Sequence, residues 1–83
     1  MFSKKMKRDF PGDRFWRTVQ FEYVLKHDLV LDKLRDMEKE YEFVCANDSE
    51  DFRSHYLMGM IFSSAGRIDD ALKCFKRSIL ENP

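Results

Sequence analysis

Eighty-three residues allow one small domain at most, and a chain this short buries too modest a share of its surface to be more than marginally stable alone. Fifteen Lys and Arg offset fifteen Asp and Glu, so the chain lacks the basic excess with which a whole domain grips nucleic acid. That neutrality does little to keep copies apart, and eight Phe supply either a compact core or an adhesive surface.

Residues 1–12 form a basic arm in which Lys4, Lys5, Lys7 and Arg8 crowd together. The plain reading is a solvated, flexible terminus; the functional one is a contact for anionic membrane or nucleic acid. The arm lacks the apolar stretch of a signal peptide, and no apolar run approaches the ~18 residues of a membrane span. Cys45 and Cys74 stand alone, outside any CxxC and without a His at ligand spacing. They read as buried thiols of a reducing compartment, so the cytoplasm is expected, with no metal and no cofactor.

Only two Pro and three Gly interrupt the chain, which favours helix, and no segment alternates as a strand would. Pro11-Gly12 makes a turn, and Asp13 is a good N-cap for a helix from Arg14 to about Lys26. That helix is apolar on two sides. Phe15, Trp16, Val19 and Tyr23 share one, Phe21, Val24 and Leu25 the other, so both must be covered or one offered to a partner. A break falls within residues 26–32; either Asp28 caps the next helix or the first helix continues to Leu31. The second helix runs to about Ala46. Val30, Leu34, Met37, Tyr41, Val44 and Cys45 recur on it as one stripe, and Asp32, Lys33, Arg35, Asp36, Lys39, Glu40 and Glu42 make a wet opposite face. Asn47-Asp48-Ser49 reads as a stop followed by an N-cap, dividing a helical pair at 13–49 from a second pair at 50–83. A third helix is predicted from about Glu50 to Ala65, with Gly66 ending it. A fourth runs from Ile68 to Glu81, with Asp69 and Asp70 at its positive end, and closes on Asn82-Pro83.

Within residues 52–83, Met58, Gly59 and Phe62, then Gly66, then Ala71, Phe75, Ser78 and Pro83 recur at fixed offsets. Gly59 and Ala71 lack bulk, so two antiparallel helices can approach there while Phe62 and Phe75 fill the flanks. This ungapped pattern resembles the tetratricopeptide repeat, a helix–turn–helix of about 34 residues. His55, where that family often has Trp, is a departure. A shift of the same length backwards pairs Val24 with Met58, Leu34 with Ile68, Tyr41 with Phe75 and Val44 with Ser78. Leu25, Met37 and Ser49 then stand in place of the Gly, Ala and Pro, so the first pair is a degenerate repeat or a helical pair of wider spacing.

The resemblance implies an all-α fold of about four helices, with antiparallel hairpins stacked as a right-handed solenoid. Such arrays normally need about three units, and the last helix still offers Leu72, Ile79 and Leu80. A second copy, giving a homo-oligomer such as a dimer, or residues of a longer chain would cover them. It also implies a binding groove along the first helix of each pair: Arg53, Tyr56, Met60, Ser63 and Ser64 from the good repeat, and Val19, Glu22 and Lys26 from the degenerate one. Tyr56 and Met60 have the alternative of packing against a neighbouring helix. Leu57 and Met60 stand where the family's carboxylate clamp has Asn, and only Arg53 keeps a suitable charge, which argues against capture of a chaperone tail. No catalytic constellation is visible. His27 beside Asp28 reads as solvated, His55 as a core imidazole, Ser63-Ser64 has no base nearby in sequence, and Asp69-Asp70 is helix-end charge. The expectation is a protein-binding scaffold or adaptor without catalytic activity. The alternatives are a regulatory piece at the N-terminus of a larger enzyme or signalling protein, and an arm that contacts nucleic acid or membrane.

Overall fold

The computed structural model describes residues 14–82. The basic arm, the Pro11-Gly12 turn, the Asp13 cap and Pro83 lie outside the described residues. Four helices follow in order: α1 Arg14–Lys26, α2 Val30–Asn47, α3 Phe52–Ser64 and α4 Ile68–Glu81. No strand occurs among the described residues.

The corner between α1 and α2 differs from both expectations. The first helix stops at Lys26, and Asp28 does not cap α2. Leu29 occupies the capping position and its side chain offers no bond. Instead Asp28 ends α1 in the left-handed region, at φ +55°, a conformation that Asp tolerates better than bulkier residues. The Leu29 amide then donates to the Val24 carbonyl at 2.9 Å, which satisfies a carbonyl left over by the helix. The α3–α4 corner repeats this device. Gly66 has φ +82°, and the Arg67 amide donates to the Phe62 carbonyl at 2.9 Å.

These matched corners correct the predicted internal register. The starts of α1 and α3, the starts of α2 and α4, and the positions of Asp28 and Gly66 are each 38 residues apart. The pairing of Val24 with Met58 is therefore off by about one helical turn, because α2 is 18 residues long and α4 only 14. In the structural register Phe21 stands opposite Gly59 and Lys33 opposite Ala71. The first pair lacks both small positions in either register.

A second correction concerns α3. Ser49 is not its N-cap and Glu50 is not in it. Asp51 caps it, accepting from the Ser54 amide through Oδ1 at 3.4 Å and from the Ser54 hydroxyl through Oδ2 at 2.5 Å.

Bonded pairs give the helix directions. Ser78 Oγ donates to the Phe52 carbonyl at one end of the α3–α4 pair, and Arg67 stacks on the Phe62 ring at the other, so these two helices run antiparallel. Tyr41 meets His55 while Glu38 meets Arg67, so α2 also runs against α3. Arg17 reaches Asp51 and Glu22 reaches Arg53, so α1 lies parallel to α3. The core lies around α3, which buries Leu57, Met58, Gly59, Ile61 and Phe62. Phe21 and Val24 of α1, Val30 and Met37 of α2, and Ala71 and Cys74 of α4 close on it. Each large side chain so buried contributes roughly 1.5–3 kcal/mol.

Candidate protein-binding surface

The predicted groove residues of α1 and α3 are all exposed. Val19, Glu22 and Lys26 follow one another at spacings of three and four, as do Arg53, Tyr56, Met60 and Ser63, so each set forms one stripe on its helix. The two helices are parallel neighbours, and Arg53 Nη1 stands 4.0 Å from Glu22 Oε2 across the seam. An ion pair this exposed contributes little stability; its use is to mark that the stripes adjoin. Tyr56 is half exposed, and its ring centroid lies 5.9 Å from that of Phe75 on α4, so it packs against that neighbouring helix with part of its ring open. Ser64 follows at the open end of α3 and is exposed.

The repeat positions divide by depth. Met58, Gly59, Phe62 and Ala71 are buried, Phe75 and Ser78 half-buried, and Gly66 exposed at its corner. The close approach at Gly59 is filled by the Phe75 ring.

Two further faces are open. On α1, Phe15, Trp16, Val19 and Tyr23 are exposed while Phe21 and Val24 are buried, so one of the two apolar sides enters the core and the other does not. Trp16, Val19 and Tyr23 line a groove of about 680 Å³ whose opposite wall is α2. On α4, Ile68, Leu72, Ile79 and Leu80 are all more than half exposed. The first three share one side of the helix, next to the side that carries buried Ala71 and Cys74.

Three polar arrangements hold these surfaces in place. Arg17 is 3% exposed and donates through Nη1 to Asp51 at 2.5 Å and to Asp48 at 3.0 Å, tying α1 to the loop before α3. Arg14 adds a two-pronged grip on Asp48, at 3.0 and 2.8 Å. These guanidinium groups, Arg14 foremost, hold the Asp48 carboxyl below the usual carboxylate range. In the second arrangement, His55 Nε2 donates to the Ser49 carbonyl at 2.6 Å, which can only accept. Nδ1 then accepts from the Tyr41 hydroxyl at 2.8 Å. Burial pushes the Tyr41 hydroxyl well above its ordinary range. In the third, Arg67 joins Asp70 at 2.8 Å and Glu38 at 2.6 Å, linking α4 to α2. Asp69 is exposed in the first turn of α4. The Arg17 network escaped the sequence reading, which gave Ser49 the capping role; the Asp51-x-x-Ser54 spacing was the available signal.

Burial raises the Cys74 thiol above its ordinary range. Cys45 is half-buried and accepts from Arg77 Nη1 at 2.9 Å. His27 is exposed and stacks on Tyr23, with ring centroids 4.3 Å apart. Among the described residues no group of three or more His, Cys, Asp or Glu could hold a metal ion, and no helix is long and apolar enough to cross a membrane. No family model, curated protein or solved structure matches the chain.

Proposed function

We propose that the chain is a protein-interaction module of the tetratricopeptide-repeat kind. It acts as a cytoplasmic scaffold or adaptor with no chemistry of its own, and its two hairpins stack with the right-handed solenoid twist. A peptide or helix of another protein lies along Val19, Glu22 and Lys26 of α1 and Arg53, Tyr56, Met60 and Ser63 of α3. The observation that carries this reading is the adjacency of those two exposed stripes on parallel helices, joined at Glu22 and Arg53. Tyr, Met and Arg provide broad contact area with a polar handle, as binding surfaces commonly do. The uncovered side of α4 favours self-association as well, and it equally fits further helices of a longer protein, the regulatory-fragment reading.

The test is capture of partners by the purified chain, with crosslinking to locate the contact, repeated with Tyr56→Ala and Met60→Ala. Loss of a central anchor residue lowers affinity about tenfold or more, and binding should persist at high salt. Capture that ignores both substitutions, yet falls steeply with salt and disappears when Lys4, Lys5, Lys7 and Arg8 are neutralised, replaces this reading with a polyanion contact through the arm.

A further inference from the structure

Ile68, Leu72, Phe75 and Ile79 of α4 follow one another at steps of four, three and four residues, the spacing of a coiled-coil seam. Ile68, Leu72 and Ile79 are more than half exposed, and Phe75 is half-buried, its ring on Gly59 and beside Tyr56. The seam is roughly 16 Å long. Its spacing reads the same from either end. Two copies of α4 laid antiparallel therefore bring Ile68 against the second copy's Ile79 and Leu72 against its Phe75, each contact made twice by symmetry. The two flanks of the seam differ. Ala71 and Ser78 border one; Ala71 is buried, and Ser78 donates to the Phe52 carbonyl of α3 at 3.0 Å. Asp69 and Lys76 border the other, one position after Ile68 and Phe75. Both are exposed, and neither takes part in an ion pair among the described residues. Antiparallel pairing sets this flank against its own counterpart with opposite ends together, so Asp69 of each copy meets Lys76 of the other. Parallel pairing sets it against the flank of Ala71 and Ser78, where α3 stands and no charge answers. The zero net charge of the chain adds no general repulsion between copies.

We propose, building on self-association through α4, that two copies of this chain pair by an antiparallel, two-fold symmetric contact of α4 with α4. Ile68, Leu72, Phe75 and Ile79 pack across it, and Asp69 with Lys76 sets its direction. Burial of the apolar seam supplies the affinity. The two ion pairs lie at the rim and act chiefly on orientation, since a parallel pair leaves both unmade.

Sedimentation equilibrium of the full-length chain across protein concentrations reads the pairing. Asp69→Lys sets like charges together at both ends of the seam and should raise the dissociation constant roughly tenfold. Lys76→Glu, away from the start of the helix and its dipole, should do the same. Both changes in one chain restore opposite charges across the contact and should return the constant to within about threefold of the natural value. An equimolar mixture of the two single variants should form a mixed dimer tighter than either variant forms with itself. Losses that add in the double variant instead of cancelling overturn the proposal. So does a dimer that ignores the charge variants yet weakens with Leu72→Ser and Ile79→Ser, which keeps self-association through α4 but in another orientation. A natural chain that stays monomeric at the highest concentrations overturns both the pairing and the self-association beneath it.

Discussion

The Phe75 ring of α4 lies so close over Gly59 of α3 that a methyl group added at Gly59 would sit 2.6 Å from Cε1. Glycine inside a helix costs about 1 kcal/mol relative to alanine, so the contact has to outweigh that loss. Gly59→Ala is therefore expected to destabilise the domain despite its better helix propensity. Overpacking costs about 1–3 kcal/mol, which leaves a net loss of roughly 1 kcal/mol and a melting temperature lower by roughly 4–8 °C. Combined with Phe75→Ala, the same substitution should cost less than it does alone. Additive losses in a denaturant double-mutant cycle would show that the two residues are not coupled.

Arg17→Met should be the most damaging conservative-volume change on α1. The guanidinium is buried against Asp48 and Asp51, and removing one member of a buried ionic network strands the others, typically at 3–5 kcal/mol. Asp51→Asn should cost less, because Asn still caps α3 well while losing the charge that faces Arg17. Urea midpoints of the two variants provide the comparison; the reverse order would mean that the cap and not the ion pair holds the corner.

Acid should weaken the domain partly through Asp48. Its folded pKa lies below the value it has in the unfolded chain, chiefly because of Arg14 and then Arg17. In that interval the unfolded state binds more protons, so stability falls as pH falls. The contribution is complete above the unfolded carboxyl pKa of about 3.9 and is lost on descending through the folded value. Asp48→Asn should flatten this part of the stability–pH curve while lowering stability at neutral pH. An unchanged slope below pH 4 in the variant would remove Asp48 from the account.

Leu72→Ser with Ile79→Ser should leave folding nearly untouched, because both side chains are more than half exposed and surface changes usually fall within about 0.5 kcal/mol. Self-association of the natural chain, measured by sedimentation across protein concentrations, should weaken in this pair. A natural chain that stays monomeric at the highest concentrations would end the case for assembly through α4.

Much of the architecture was legible because it is local. Period and caps placed α4 on its observed bounds and Gly66 at its corner, since a left-handed residue after a helix favours glycine whatever surrounds it. The corner at Asp28 was not legible: Asp enters that conformation less readily than Gly, and the residue offered the competing role of an N-cap. The register error has a similar origin. A shift of one repeat length keeps apolar residues facing apolar residues, so side-chain pattern alone does not detect the extra turn of α2.

By itself the sequence determined that the chain is helical, where most helices end, that Gly59 sits in a close contact, and that α1 has more apolar surface than one neighbour can cover. Those properties depend on residues within a few turns of one another. Only the tertiary structure decided which apolar side of α1 enters the core, that Phe75 is what rests on Gly59, and that Arg17 is buried between Asp48 and Asp51. These pairs are 16, 31 and 34 residues apart, and no periodicity specifies contacts at such separations. They are set when all four helices compete to surround α3.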